Sequence, residues 1–236
     1  MSNVNTNEIN HFNQQAAFWW DENGPFKTLH HINPIRTDYV KSFVDLNGLS
    51  LLDVGCGGGV LSESMSSNGA SVTGLDLAEE SLEVARLHLY ESQLKIQYIN
   101  QSVEKFSETN NSSFDVITCM ELLEHVPDPQ SIINACFSIL RPGGWLFLST
   151  LNRSPKSMLF GIIAAEHVLQ IVPKGTHHYN QFIKPSELVL GLEKLNLSVK
   201  DISGLKYNPL SKKAWLDQQD VSINYLMAVN KPMSLK

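Results

Sequence analysis

The chain predicts an α/β fold: a doubly wound, mostly parallel sheet of about seven strands, with an N-terminal helical cap and a helical lid insertion. Two observations carry this. From residue 49 short apolar runs alternate with segments of helical length, the pattern of parallel strands joined by crossover helices. The first run, Leu51-Leu52-Asp53-Val54, enters Gly55-Cys56-Gly57-Gly58-Gly59 and then a helix, which makes the arrangement Rossmann-like.

In chain order, residues 7–20 read as a helix ending in Trp19-Trp20. Residues 21–36, with Gly24, Pro25 and Pro34, read as a structured loop, and a second helix runs from Pro34 into Phe43 with proline in its first turn. Strands are expected at 49–54, 71–75, 96–99, 114–119 and 145–150, and helices at 60–68, 79–92 and 129–140. Arg141-Pro142-Gly143-Gly144 reads as a turn before the fifth strand. Beyond residue 150, helices are expected at 155–172 and 186–195, a loop at 173–185, and two strand-like runs near 198–207 and 221–229 that add antiparallel strands at a sheet edge. The organisation is one structural domain: a cap (1–48), a ligand-binding core (49–150), a membrane-facing lid insertion (151–185) and a C-terminal helix with sheet-completing strands (186–236).

Composition narrows the function. With 236 residues and 42% hydrophobic content, the chain buries a real core, and disorder is excluded for most of it. A net charge of −6 without a basic tract argues against nucleic acid as a partner. Cys56, Cys119 and Cys136 form no CxxC pair, which fits a reducing cytoplasm and argues against a disulfide scaffold or zinc site. The polar N-terminus carries no signal peptide, and the longest apolar stretch, 158–172, is too short and too interrupted to cross a bilayer, which takes about 20 residues.

The glycine loop is the strongest signal. Gly55, Gly57 and Gly59 spell GxGxG, which lets a ligand approach the backbone closely. Asp53 just ahead of it suits a cationic or amino-acid-bearing ligand better than a phosphate. Asp76 closes the second strand, where a carboxylate accepts both hydroxyls of a ribose. A nucleoside carrying a zwitterion is S-adenosylmethionine. Met120, at the carboxyl end of the fourth strand, is placed to line the adenosine cleft.

Further blocks carry a resemblance: Phe18-Trp19-Trp20-Asp21, Ile32-Asn33-Pro34-Ile35-Arg36, Glu121-Leu122-Leu123-Glu124-His125-Val126-Pro127-Asp128-Pro129, Ser149-Thr150-Leu151-Asn152-Arg153 and Val172-Pro173-Lys174-Gly175-Thr176-His177. Over roughly residues 12–185 the chain resembles the ubiquinone-biosynthesis O-methyltransferases. His178 departs from the acidic residue expected there, and the tail beyond 205 matches more loosely. The resemblance implies that Arg36, Gly55, Asp76 and Met120 bind S-adenosylmethionine, and that the acceptors are polyprenylated phenols and catechols. Arg36 suits a bidentate contact with the methionine carboxylate.

A phenol, with a pKa near 10, needs a base or a metal before it accepts a methyl group. Glu121, Glu124 and His125, spaced i, i+3 and i+4, would share one face of a helical turn and hold a divalent ion of the Mg²⁺ type. The resemblance implies such a metal in some members; without it, His125 is the general-base candidate. The apolar 157–172 helix reads either as packed on the body or as an interfacial lid, with Lys156, Lys174 and Lys184 facing anionic lipid. Trp19 and Trp20 read as core or as membrane contacts. The expected location is cytoplasmic, peripheral on the inner membrane, with other ubiquinone-biosynthesis enzymes as possible partners. The alternatives are a methyltransferase for another small phenol, a non-catalytic S-adenosylmethionine-binding scaffold subunit and, disfavoured by GxGxG, a nicotinamide dehydrogenase.

Overall fold

The computed structural model describes residues 3–158 and 179–233. Most of the lid helix expected over 155–172, and the first part of the loop after it, lie outside the described residues.

Among the described residues the strands form one eight-stranded sheet, in the order β3-β2-β1-β4-β5-β8-β6-β7. The strands are β1 Ser50–Val54, β2 Ser71–Asp76, β3 Ile96–Asn100, β4 Phe114–Met120, β5 Leu140–Leu151, β6 Ser198–Asn208, β7 Lys213–Asp217 and β8 Asn224–Asn230. β1 to β5 pair parallel, and β8, β6 and β7 add antiparallel pairs at one edge. The expectation of about seven strands is thus corrected to eight. β7 was not expected, because its five residues KAWLD carry two charges and little alternation.

The helices are α1 Thr6–Gln15, α2 Lys27–Lys41, α3 Val60–Ser67, α4 Glu79–Ser92, α5 Val103–Ser107, α6 Pro129–Ile139, the single turn α7 Pro155–Ser157 and α8 Pro185–Glu193. Strand alternation divides the core between two faces. Leu51, Val116, Met120, Phe147 and Leu226 cluster with Ile32, Tyr39 and Val40 of α2 and Leu61 and Met65 of α3. Leu52, Ile117, Cys119, Leu146 and Met227 cluster instead with α5, α6 and α8.

Two local expectations fail for physical reasons. Pro34 lies inside α2 rather than in its first turn, so the His30 carbonyl has no N–H at the usual position. Burial of Ile32, Tyr39 and Val40 against the sheet holds the helix through this gap. Arg141-Pro142-Gly143-Gly144 lies within β5, where Leu140 pairs with Phe114 and Trp145 with Val116, so the turn is an insertion in a continuing strand.

The β7–β8 connection is tied to the base of the insertion. Asp220 Oδ2 meets Lys156 Nζ of α7 at 2.7 Å and Lys206 Nζ of β6 at 2.8 Å. Gly204 makes room for this connection: a Cβ there would lie 2.0 Å from the Asp220 carbonyl oxygen. Gly204→Ala is expected to cost about 1–3 kcal/mol, lowering the melting temperature by roughly 2–12 °C. An unchanged melt would mean that the connection moves aside freely.

Candidate functional site

The carboxyl ends of β1, β2 and β4 open into a cleft of about 590 Å³, lined by Arg36, Asp53, Gly55, Gly57, Asp76, Met120, Glu121 and His125 among others. Ligands of open α/β sheets bind at this edge. The structure therefore brings most of the sequence-predicted residues together, and it assigns them different surroundings.

Asp76 is braced. Its Oδ2 accepts from the Gly57 N–H and its Oδ1 from the Ala78 N–H, both at 2.8 Å. These bonds fix the carboxylate between the glycine loop and the start of α4. Gly55 (φ 74°), Gly57 (φ 52°) and Gly59 (φ 86°) all hold left-handed backbone that only glycine adopts at low cost.

Asp53 differs from expectation. It is 2% exposed, and both carboxylate oxygens are taken, by Ser62 Oγ of α3 at 2.6 Å and Thr118 Oγ1 of β4 at 2.7 Å. Its register partner across the sheet is Thr118, which explains the contact. Burial raises its pKa against those two bonds. Asp53 thus ties β1, β4 and α3 together beneath the loop.

Arg36 is 5% exposed on α2. Its Nη2 lies 3.3 Å from Glu121 Oε1, yet neither Nε nor Nη2 makes a hydrogen bond. Buried guanidinium nitrogens normally find hydrogen-bond partners; here Nε has none and Nη2 has only the Glu121 ion pair. Met120 is buried at the end of β4.

Glu121, Glu124 and His125 do not share a helical face. Glu121 has φ 57°, which breaks any helix at its start, and only Leu123–His125 form a 3-10 turn. Glu121 turns back to β5, accepting from Ser149 Oγ at 2.7 Å. Glu124 is buried, with Oε2 accepting from Thr150 Oγ1 at 2.8 Å and Oε1 without a hydrogen-bond partner. Burial and the Glu121 charge raise the Glu124 pKa. His125 Nδ1 lies 3.0 Å from Glu8 Oε2 of α1. Burial works to lower its pKa, but the Glu8 bond and the charges of Glu124, Glu8 and Glu121 prevail and raise it. With its proton so held, His125 is poorly placed to act as a base while α1 stays docked. Among the described residues no group of three or more His, Cys, Asp and Glu is arranged to hold a metal ion, so this donor set as it stands does not fit Mg²⁺.

Sequence reasoning did not find the role of the cap. Trp19 lies directly on the glycine loop: a Cβ on Gly57 would come within 2.5 Å of its ring and one on Gly58 within 2.3 Å of it. The Trp19 ring stacks on Phe26 at 4.1 Å, and its Nε1 donates to Ser81 Oγ at 3.0 Å. Trp20 Nε1 donates to the Gly58 carbonyl at 2.9 Å and its ring stacks on His88. Of the two expectations for this pair, core packing describes their contacts. The aromatic pair was the available signal, but nothing in the sequence ties it to Gly57 and Gly58.

Residues 28–201 match the family model described as a methyltransferase domain, which makes the glycine-loop cleft at the carboxyl edge of the sheet the site of a methyltransferase. The fold is similar to magnesium protoporphyrin IX methyltransferase from Synechocystis (17% identity, TM-score 0.64, 90% of this chain and 87% of that one). It is also similar to a methyltransferase from Thermotoga maritima (15% identity, TM-score 0.67, covering 94% and 99%). Curated relatives narrow the class. The ubiquinone biosynthesis O-methyltransferase of Nitrosospira multiformis is 51% identical over 96% of this chain and 94% of its own length. That of Vibrio vulnificus is 51% identical over 97% of each. The chain belongs to the ubiquinone biosynthesis O-methyltransferase family.

Among the described residues no helix is long and apolar enough to cross a membrane.

Proposed function

We propose that the protein transfers methyl groups from S-adenosylmethionine to hydroxyls of polyprenylated phenol and catechol intermediates in ubiquinone biosynthesis. The observation that carries this reading is Arg36, a buried guanidinium in the cleft beside the glycine loop whose Nε makes no hydrogen bond and whose Nη2 has only the Glu121 ion pair at 3.3 Å. Such donors call for a carboxylate, and the amino-acid end of S-adenosylmethionine supplies one. Asp76 is suited to the ribose hydroxyls, Gly55 and Gly57 admit the ligand to the backbone, and Met120 lines the cleft. When bound, the sulfonium supplies an already activated methyl group. The chain's own work is then to hold the acceptor in line, exclude water and take up its proton.

Glu121, Glu124 and His125, as arranged among the described residues, do not fit a divalent cation, so no step here runs through a metal. A polyprenyl chain partitions into the bilayer, so peripheral contact with anionic lipid of the inner membrane brings the cleft to its substrate. Association with other ubiquinone-biosynthesis enzymes fits the same supply route.

The test is transfer of labelled methyl from S-adenosylmethionine to a short-chain prenylated catechol, with Mg²⁺ and with chelator. Transfer in both conditions supports the metal-free methyltransferase, whereas transfer lost to chelator and restored by Mg²⁺ keeps the methyltransferase and overturns its metal-free arrangement. Tight cofactor binding with no transfer at all overturns the acceptor assignment.

A further inference from the structure

The proton that leaves the acceptor needs a destination, and the far wall of the cleft offers one. β8 runs antiparallel to β5, and β6 antiparallel to β8, so β6 points the same way as β1 and β4. Its last residues therefore lie at the edge where the glycine loop opens, and Leu205, Lys206 and Tyr207 line the same cleft. The Tyr207 hydroxyl lies 2.7 Å from Nδ1 of His31 on α2, and the two rings are nearly parallel, 19° apart with centroids at 5.7 Å.

We propose that Tyr207 and His31 form a proton relay for the acceptor hydroxyl, Tyr207 touching the acceptor and His31 acting through Tyr207. The proposal rests on the methyl-transfer reading above. In the resting state His31 carries its proton on Nε2, and Tyr207 O–H donates to Nδ1. The acceptor hydroxyl donates to the tyrosine oxygen. As the acceptor oxygen bonds to the methyl carbon, the carbon–sulfur bond breaks and its electron pair stays on sulfur. The acceptor proton passes to the Tyr207 oxygen, and the Tyr207 proton passes to His31 Nδ1. The products are the methyl ether, S-adenosylhomocysteine and an imidazolium, which returns its proton to solvent through its accessible side.

The surroundings suit these roles. Burial, Lys212, His30 and Lys27 lower the His31 pKa, with Glu22 opposing, so the ring is neutral and able to accept near pH 7. Burial raises the pKa of Tyr207, so its hydroxyl stays protonated until the relay operates.

The experiment compares the wild-type protein with Tyr207→Phe and His31→Gln on a prenylated catechol and on its nitro derivative, whose hydroxyl ionises unaided near neutral pH. Without methyl donor, visible absorbance reports ionisation of the bound nitrocatechol. The relay predicts that ionisation moves to higher pH in Tyr207→Phe. In turnover, kcat on the plain catechol is expected to fall roughly 10²–10⁴-fold in Tyr207→Phe, and far less on the nitro derivative. The acidic limb of the wild-type pH profile is expected to vanish in His31→Gln, while S-adenosylmethionine affinity is unchanged in both variants. Equal losses on the two acceptors, or an unshifted ionisation, assign Tyr207 a merely structural role and overturn the relay. An inactive wild type overturns the methyl-transfer reading, whereas an active wild type with unaffected variants overturns the relay alone.

Discussion

Gly59→Ala is expected to remove much of the fold's stability. Gly59 caps α3 with φ 86°, and a Cβ there would lie 2.2 Å from the Tyr98 hydroxyl and 3.2 Å from the Ala85 methyl. Two costs combine. Left-handed backbone costs a non-glycine residue about 1–2 kcal/mol, and forcing a methyl into a packed site costs about 1–3 kcal/mol more. Tyr98 is buried and has little room to retreat. The sum is a large part of a typical stability of about 5–15 kcal/mol. Gly48→Ala separates the two costs: its φ is 76°, but nothing lies within 4 Å of the added Cβ. Thermal melts are expected to place Gly59→Ala well below Gly48→Ala. If the two melt together, packing against Tyr98 contributes nothing.

Arg36→Met is expected to separate binding from stability. A charge-assisted hydrogen bond contributes roughly 1.5–3 kcal/mol, so losing the cofactor carboxylate contact raises the Kd for S-adenosylmethionine about 10–150-fold. The fold does not depend on the guanidinium in the same way. Its Nε and Nη2 make no hydrogen bond in the protein, and a methionine of similar length fills the space without a buried charge. Losing the Glu121 pair offsets part of this gain, so the melting temperature of the ligand-free variant is expected to change little beside the loss of binding. Calorimetric titration beside a thermal melt checks both. A melt that collapses together with binding would make Arg36 a structural residue paired with Glu121.

The parts of the fold legible in sequence were those with a strong period. The expected 79–92 helix coincides with α4, and β1 to β5 were found because buried parallel strands read as apolar runs between glycine and polar breaks. α5, five residues long, was missed because a single turn has no period to detect. Pro34 was misplaced because the local rule against interior proline yields here to the burial of one face of α2. The glycine loop and Asp76 could be placed side by side from sequence because they are consecutive in one strand–loop–helix–strand unit. The acceptor end was not legible in this way. One residue's backbone, Glu121 at φ 57°, decides where Glu121, Glu124 and His125 point, and nothing in the spacing announces it. Tyr207 and His31 are 176 positions apart and meet only through the order of the sheet.

The docked cap has a consequence during synthesis. Asn3 bonds the Asp128 backbone, and Glu8 meets His125 across 117 positions of chain. At about 5–20 residues per second the ribosome needs roughly 6–23 s to make that interval. Phe26 and Val60, on which Trp19 packs, follow it closely, but Glu8 and Phe12 wait through the whole interval for His125. A segment made well before residue 125 thus waits for part of its docking surface. A nascent chain stalled before residue 125 leaves α1 without His125 and Asp128 to dock on.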